Sequence, residues 1–129
     1  MAIDYAERAR SLFGTRFRPQ GRDESGLDCV GVIVATFGSP AGRVRRNYRL
    51  RGNHFAELKR EMGALFRAVP RRQVRCGDVL LMKVTNDQAH LGVRTAKGFV
   101  HAHAGIGRVV ETPGIPEWPI IAVYRKRSR

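Results

Sequence analysis

One cysteine and three histidines are the residues of this 129-residue chain whose types and spacing could do chemistry. Cys29 directly follows Asp28 and opens the apolar run CVGVIVATF, while His90, His101 and His103 lie close together in HLGVRTAKGFVHAH. If Asp28 caps a helix, Cys29 falls in its first turn, where backbone amides and the helix dipole stabilise a thiolate. This position predicts a nucleophile, although a cysteine in an apolar run is also a common core residue.

A base beside the thiol would decide between these two interpretations, and the histidines can supply one. His90 precedes the turn TAKG, and alternation along the following strand puts His101 and His103 on one face. A hairpin makes His90 a cross-strand neighbour of these residues, so one imidazole can accept the thiol proton while a second orients it. The turn fixes the register only within about a residue, so the sequence leaves open whether His101 or His103 orients His90.

The same histidines permit a second chemistry, that of a zinc hydrolase. His101 and His103 share a strand face, and His90 would be the third ligand. Such a site would leave Cys29 without a role or make it a fourth ligand, and no glutamate base stands at motif spacing. The thiol mechanism requires no metal and no cofactor, and we expect none.

The elements that must position these residues are helices followed by strands. Capping signals and helical spacing predict helices over 4–13, 29–37 and 53–69, the first with Asp4 and Glu7 spaced as a capping box. Short β-like runs follow at 78–84, 89–95, 98–104, 108–112 and 120–126. This order is typical of an α+β domain with an antiparallel sheet. We see no linker or repeat, so residues 1–129 are predicted to form one domain.

Five segments resemble, in the same order, motifs of the NlpC-type cell-wall peptidase family. FGTRF (13–17) is similar to its Leu-Gly-Thr-Pro-Tyr, LDCVGVIV to its Asp-Cys-Ser-Gly-apolar segment, and CGDVLLM (76–82) to its Pro-Gly-Asp-Leu-Leu-Phe strand. HLGV (90–93) resembles its His-Val-Gly-Ile, and FVHA (99–102) the strand with its third catalytic residue. The resemblance spans residues 13 to about 125. It implies a papain-like fold, in which N-terminal helices, with the nucleophile at a helix N-terminus, pack on five or six antiparallel strands.

The resemblance also implies an activity, hydrolysis of peptidoglycan stem peptides at the bond between D-glutamate and the diamino acid. Cys29 would be the nucleophile, His90 the base and His101 the group that orients it. His103 would be a neighbour on the substrate side, and Asp28 would help to bind the amino end of the stem peptide.

Three positions depart from the family pattern. Members that require a free N-terminal alanine usually have serine after the cysteine and tyrosine in the preceding loop, where this chain has Val30 and Phe17. The substrate pocket near Phe17 and Val30 therefore lacks two hydroxyls, and we expect that narrow specificity to be lost. Cys76 stands where proline is common, and we interpret it as a buried structural thiol.

The formal charge of +13 predicts attraction to polyanions, and anionic wall polymer fits the peptidase hypothesis. The arginines cluster at 43–51, 71–75 and 125–129 rather than on one groove-sized element, so a nucleic-acid partner is not expected. A non-enzymatic basic binding module is the remaining alternative. No signal peptide or membrane span is recognisable, which indicates synthesis in the cytoplasm. Similarity to small phage or gene-transfer-particle members suggests a place in a phage tail, with tail proteins as partners, or release at lysis. A host protein that acts on imported wall fragments in the cytosol is the alternative.

Overall fold

The computed structural model describes residues 3–19, 21–23, 25–38, 55–86 and 88–127. Three helices are α1 Tyr5–Arg10, α2 Cys29–Phe37 and α3 Phe55–Leu65, and a two-stranded ribbon is made of β1 Arg22–Asp23 and β2 Gly26–Leu27. The main sheet has six strands, β3 Arg67–Val69, β4 Val79–Thr85, β5 Gln88–Arg94, β6 Gly98–His103, β7 Arg108–Pro113 and β8 Ile120–Arg125. None of the described helices has the length and apolar character needed to span a membrane.

The strand order of the main sheet is β3-β8-β4-β5-β6-β7, and all of its neighbours pair antiparallel. The central run β4-β5-β6-β7 is a meander, while β8 returns to the other side of β4 and receives the short strand β3. Helices packed on an antiparallel sheet confirm the predicted α+β, papain-like class. The five strands predicted from the sequence lie within a residue of β4 to β8.

The sheet is apolar on both faces because its side chains alternate between two core clusters. The main core cluster, on the side of the helices, takes from the sheet Val79, Leu81, Ala89, Leu91, Val93, Val100, Ala102, Val109 and Tyr124. The second core cluster, on the opposite face, consists of Val69, Leu80, Met82, Phe99 and Val123, with Val74, Trp118 and Ile120 packed against it. Cys29 and α2 belong to the main core cluster. The histidine side chains of β5 and β6 lie on the other face of the sheet, because they alternate along each strand with the residues that face this cluster.

Helix α2 is apolar all round because it is enclosed. It packs on β5 and β6, and at its end the ring of Phe37 meets Tyr5 of α1 at 4.7 Å and Phe66, just beyond α3, at 5.2 Å. Gly38 follows with a φ of 65°, a conformation that glycine adopts readily, and ends the helix where the sequence predicts.

Several element boundaries differ from the prediction. Helix α1 ends at Arg10, three residues before its predicted end, and the apolar side chains of Ile3 and Phe13, on either side of it, are exposed. The third predicted helix ends too late, because residues 67–69 leave the helical path and pair with β8. Its proposed cap, Asn53, lies outside the described residues. Cys76 is exposed in the turn before β4, so the expectation that it is buried was wrong.

Candidate active site

Cys29 is the first residue of α2, and Asp28 is the residue that caps the helix. The Asp28 backbone is extended, and its Oδ1 accepts a 2.8 Å hydrogen bond from the amide of Gly31. A Cβ at position 31 would collide with the carbonyl oxygen of Gly21, so glycine is required for the close packing of this first turn. The Cys29 thiol is 3% exposed and lies at the positive end of the helix dipole, which favours its ionised form.

Packing of α2 on the sheet places the helix that begins with Cys29 against the strand that carries His90. Cys29 shares the main core cluster with Ala89 and Leu91, the residues on either side of His90 in β5. His90 itself is half-buried. The nucleophile and base expected from the sequence are therefore carried by two elements in direct contact.

The His90 and His101 side chains contact each other directly, with 2.9 Å between Nε2 of His90 and Nδ1 of His101. Strands β5 and β6 pair at their turn end, where Val93 lies opposite Val100. If that register continued, His103 would stand opposite His90. The contact is instead made by His101, which is 1% exposed.

A third polar side chain, Thr112, extends this contact into a line. Nε2 of His101 lies 2.8 Å from Oγ1 of Thr112 on β7. Thr112 pairs directly with Phe99, so it is the diagonal cross-strand neighbour of His101 on the same face. The sequence gives β7 as a strand but offers no signal for this contact, because it depends on the pairing register of β6 with β7.

The line of contacts defines which nitrogens carry protons if His90 is to act as a base. His90 must donate through Nε2–H to Nδ1 of His101, and His101 must donate through Nε2–H to the Thr112 hydroxyl. Nδ1 of His90 is then unprotonated and able to accept a proton. In the neutral state each imidazole has one donor and one acceptor nitrogen, so the arrangement is chemically consistent.

Both imidazoles are held in the neutral form. Burial, assisted by the nearby His101 and His103, lowers the pKa of His90 from 6.5 to about 3. Burial, with His103 nearby, lowers the pKa of His101 to about 4. At neutral pH His90 is therefore ready to receive a proton rather than already carrying one.

Two aromatic rings enclose the histidine pair. The ring of Phe99 stacks on His101 with 4.5 Å between centroids. Trp118 lies edge-on to both imidazoles, at 5.5 Å from His90 and 6.0 Å from His101. Trp118 is the sole tryptophan of the chain and stands in the proline-rich stretch PGIPEWP, where nothing in the sequence indicates a contact with the histidines.

The other residues that the sequence predicts to bind substrate contact their own neighbours within the fold. The ring of His103 lies 5.7 Å from that of His101, and its Nδ1 accepts a hydrogen bond from the Ile106 amide. Phe17 is half-buried and packs on the main core cluster, and Val30 is 1% exposed inside it. Their roles toward substrate, like that of Asp28, stay predictions.

The zinc alternative finds no support in the arrangement of these side chains. Within the part of the chain that the structure describes, no group of three or more His, Cys, Asp or Glu side chains is placed to hold a metal ion. His90 and His101 direct ring nitrogens at each other, whereas ligands of one zinc ion would direct them at a common point.

Comparisons with known proteins identify a relative by sequence. Over 106 residues the chain is 28% identical to a protein of Escherichia coli (strain K12) named murein DD-endopeptidase MepS/murein LD-carboxypeptidase. The match covers 81% of this chain and 51% of that protein, so the chain spans about half the length of this curated relative. No protein-family model matches the chain.

Solved structures show the same fold. The NlpC/p60 domain of peptidoglycan hydrolase SagA superposes with a TM-score of 0.62 and 19% identity, over 85% of this chain and 86% of that domain. NlpC2 from Trichomonas vaginalis superposes with a TM-score of 0.71 and 13% identity, over 97% of this chain and 46% of that protein. At these identities the structures establish the architecture, which is the one implied by the sequence motifs.

Proposed function

We propose that this chain is a cysteine peptidase of the NlpC/p60 type that hydrolyses the stem peptides of peptidoglycan, as its similarity to the proteins named above supports. The observation that carries the proposal is the 2.9 Å contact between His90 and His101, on strands packed against the helix that begins with Cys29. The names of two similar proteins, a murein endopeptidase and a peptidoglycan hydrolase, support the substrate class.

In the proposed reaction His90 is the general base. Since Nε2 of His90 is engaged by His101, Nδ1 is the nitrogen that takes the proton of the Cys29 thiol. The thiolate attacks the carbonyl carbon of the scissile amide, and His90 returns the proton to the leaving amine nitrogen. Water then hydrolyses the thioester and restores the thiol.

The surroundings of His90 fit this cycle at each charge state. The neutral base is favoured at rest by burial beside Trp118 and His101. When His90 accepts the proton, Nδ1 of His101 is an acceptor for its Nε2–H and stabilises the imidazolium. The backbone amide of Cys29, at the start of α2, is the proposed donor to the oxyanion of the tetrahedral intermediate.

The non-enzymatic alternative, a basic binding module, is weakened by the use that the fold makes of its arginines. Arg71 donates to the carbonyl of Ile120, Arg125 forms an ion pair with Asp78, and Arg127 donates to the carbonyl of Gly63. These three belong to two of the arginine-rich segments, so part of the positive charge has a structural role. The third segment, 43–51, lies outside the described residues.

Digestion of purified peptidoglycan tests the proposal. We expect soluble peptide fragments with the unsubstituted protein and loss of at least about 1,000-fold in rate with Cys29→Ala, since the nucleophile is removed. Cys76→Ala is the matched control, because it removes the other, exposed thiol and should digest normally. Activity that survives Cys29→Ala, or that a chelator abolishes and zinc restores, would contradict the thiol mechanism.

The bond cleaved is a finer part of the proposal. We propose the bond between D-glutamate and the diamino acid, on the resemblance of the DC and HLGV motifs, with relaxed need for a free N-terminal alanine because Phe17 and Val30 bring no hydroxyl. The E. coli relative is named for DD-endopeptidase and LD-carboxypeptidase activities. Mass analysis of the fragments, with and without blocked stem-peptide amines, distinguishes the three cleavages.

We also propose that the positive charge holds the enzyme on anionic wall polymer and that the enzyme acts from a phage tail or after lysis. The charge of +13 supports the first part, and the resemblance to phage members of the family supports the second. Binding to walls should weaken as the salt concentration is raised from about 0.05 to about 0.5 M, because surface charge is screened at roughly 0.1 M and above. Detection of the protein in purified virions would support the tail location.

A further inference from the structure

Arg16 and Arg108 face each other across an antiparallel bridge outside the regular strand pairs of the sheet. The amide of Phe17 donates to Gly107 and the amide of Val109 donates to Thr15, both at 2.8 Å, so these bonds flank the arginine pair without joining it. This is the closely spaced type of pair, with Cα atoms about 4.5 Å apart. Both arginine side chains are exposed on one face, which places two like charges directly opposite each other, a destabilising arrangement.

No carboxylate of the described residues offsets this repulsion by an ion pair. In the described part of the chain, ion pairs join Arg10 to Glu7 and Glu111, and Arg125 to Asp78. Arg108 donates instead to the backbone carbonyl of Gly14, at 3.0 Å, which holds its guanidinium beside the 14–16 segment. Within the part of the chain that the structure describes, the positive charge of this pair is therefore not neutralised by a carboxylate.

The arginine pair adjoins both halves of the proposed active site. Arg108 stands directly opposite His103, and His103 is two residues from His101 on the same strand face, roughly 7 Å along the strand. On the other side, the carbonyl of Arg16 accepts a 2.9 Å hydrogen bond from the amide of Leu27, two residues before Cys29. An anion at this pair would belong to a ligand that also reaches the histidines.

We propose that Arg16 and Arg108 form a carboxylate-binding subsite for the peptide substrate, an inference that rests on the proposed peptidase function. A guanidinium binds a carboxylate with two parallel hydrogen bonds, and the bound anion offsets the repulsion within the pair. An extended peptide advances about 3.5 Å per residue. The subsite therefore selects an acidic group about two residues from the part of the substrate nearest His101, on the side that lies along β7.

Binding to the inactive Cys29→Ala protein tests the subsite separately from catalysis. The probes are a synthetic stem tetrapeptide with its carboxylates free and the same peptide with them amidated, each titrated by calorimetry. We expect amidation to raise the dissociation constant about fivefold in Cys29→Ala, and to have no effect once Arg16→Gln is added. Arg72→Gln is the matched control: it removes one charge from an exposed arginine on the turn beside β8, which three strands separate from β7, and should leave the difference intact.

Arg16→Glu gives a second, opposite readout. Glutamate opposite Arg108 replaces a like-charge pair by an ion pair, so the midpoint of thermal unfolding should rise by roughly 1 to 4 °C. The same substitution should weaken binding of the carboxylate-bearing peptide more than Arg16→Gln does. A residue with a structural role alone would not make the protein more stable and its peptide binding weaker.

Three outcomes overturn the inference. If amidation does not weaken peptide binding, the pair binds no specific carboxylate. The same follows if Arg16→Gln and Arg72→Gln reduce the effect of amidation equally. If Arg16→Gln weakens binding of soluble inorganic polyphosphate while peptide discrimination is unchanged, the pair serves a phosphate polymer and the peptide assignment is wrong. A lack of Cys29-dependent cleavage would instead defeat the proposed function, and it is measured in a different experiment.

Discussion

The hydroxyl of Thr112 is the last group in the line of contacts that runs from His90 through His101. Removing this hydroxyl should therefore affect His90, the proposed base. In Thr112→Val the shape is kept, but Nε2–H of His101 loses its acceptor, at 2.8 Å, in a site where His101 is buried. A buried donor without a partner costs about 1 to 3 kcal/mol. The tautomer that leaves Nδ1 of His90 unprotonated is then less favoured, and we expect kcat to fall about 10-fold with KM little changed.

Thr112→Ser is the control for this prediction because it restores the hydroxyl and should recover most of kcat. The measurement is steady-state kinetics on a soluble stem peptide, together with thermal unfolding of both variants. A positioning role moves kcat in the valine variant and spares it in the serine variant at similar stability. Equal kcat in Thr112→Val and the unsubstituted protein would show that the line of hydrogen bonds ends, functionally, at His101.

At the scale of elements, Asp28 at the start of α2 has one observed role and one predicted role, and the two can be separated. Its Oδ1 caps the helix through the Gly31 amide, and the sequence resemblance also assigns it to binding the amino end of the substrate. Asp28→Ala should lose about 1 kcal/mol of unfolding free energy along with the cap. Asp28→Asn retains an oxygen acceptor and should unfold near the normal temperature, while its KM for an amine-bearing stem peptide rises because the charge is gone.

Acetylating the amine of the peptide supplies the control for Asp28. With the acetylated peptide, Asp28→Asn and the unsubstituted protein should have the same KM. If the two proteins differ equally on both peptides, the carboxylate does not bind the substrate amine, and Asp28 acts through the helix alone.

The elements also show how far the sequence could lead. Local signals found α2, because an Asp cap precedes a short apolar run and a glycine follows it. They placed residues 67–69 in a helix because Leu65, Phe66 and Val69 keep helical spacing. That spacing contains no information about the partner residues in β8, which lie 54 to 58 residues further along the chain. For the same reason, the turn residues left open whether His101 or His103 orients His90. It depends on β5 and β6 pairing at their turn end and on how the two strands run beyond it.

At the scale of the whole molecule, the fold uses a few buried polar contacts to fix a sheet that is apolar on both faces. Asp78, 1% exposed, accepts from both Arg125 and the Arg75 amide, and thus ties the start of β4 to the end of β8. The histidine pair, in which His101 is 1% exposed, is another buried polar contact, and unlike Asp78 it meets a neutral hydroxyl, that of Thr112, rather than an opposite charge. Its energetic cost therefore depends on pH.

Stability should fall as the pH is lowered below about 6.5. In the unfolded chain a histidine has a pKa near 6.5, whereas burial lowers that of His101 to about 4 and that of His90 to about 3. Over this window the unfolded chain binds more protons, so the stabilisation is fully present above pH 6.5 and is lost as the pH falls, by up to about 1.4 kcal/mol per pH unit for each histidine.

Urea unfolding followed by Trp118 fluorescence between pH 7.5 and 5 measures the slope, in a range where ordinary carboxylates contribute little. The His90→Gln, His101→Gln double variant keeps the other two histidines and should be nearly independent of pH. If unfolding free energy changes equally with pH in both proteins, the histidine pair is already solvated or charged in the folded state. His90 would then not be held in the neutral form that a general base requires.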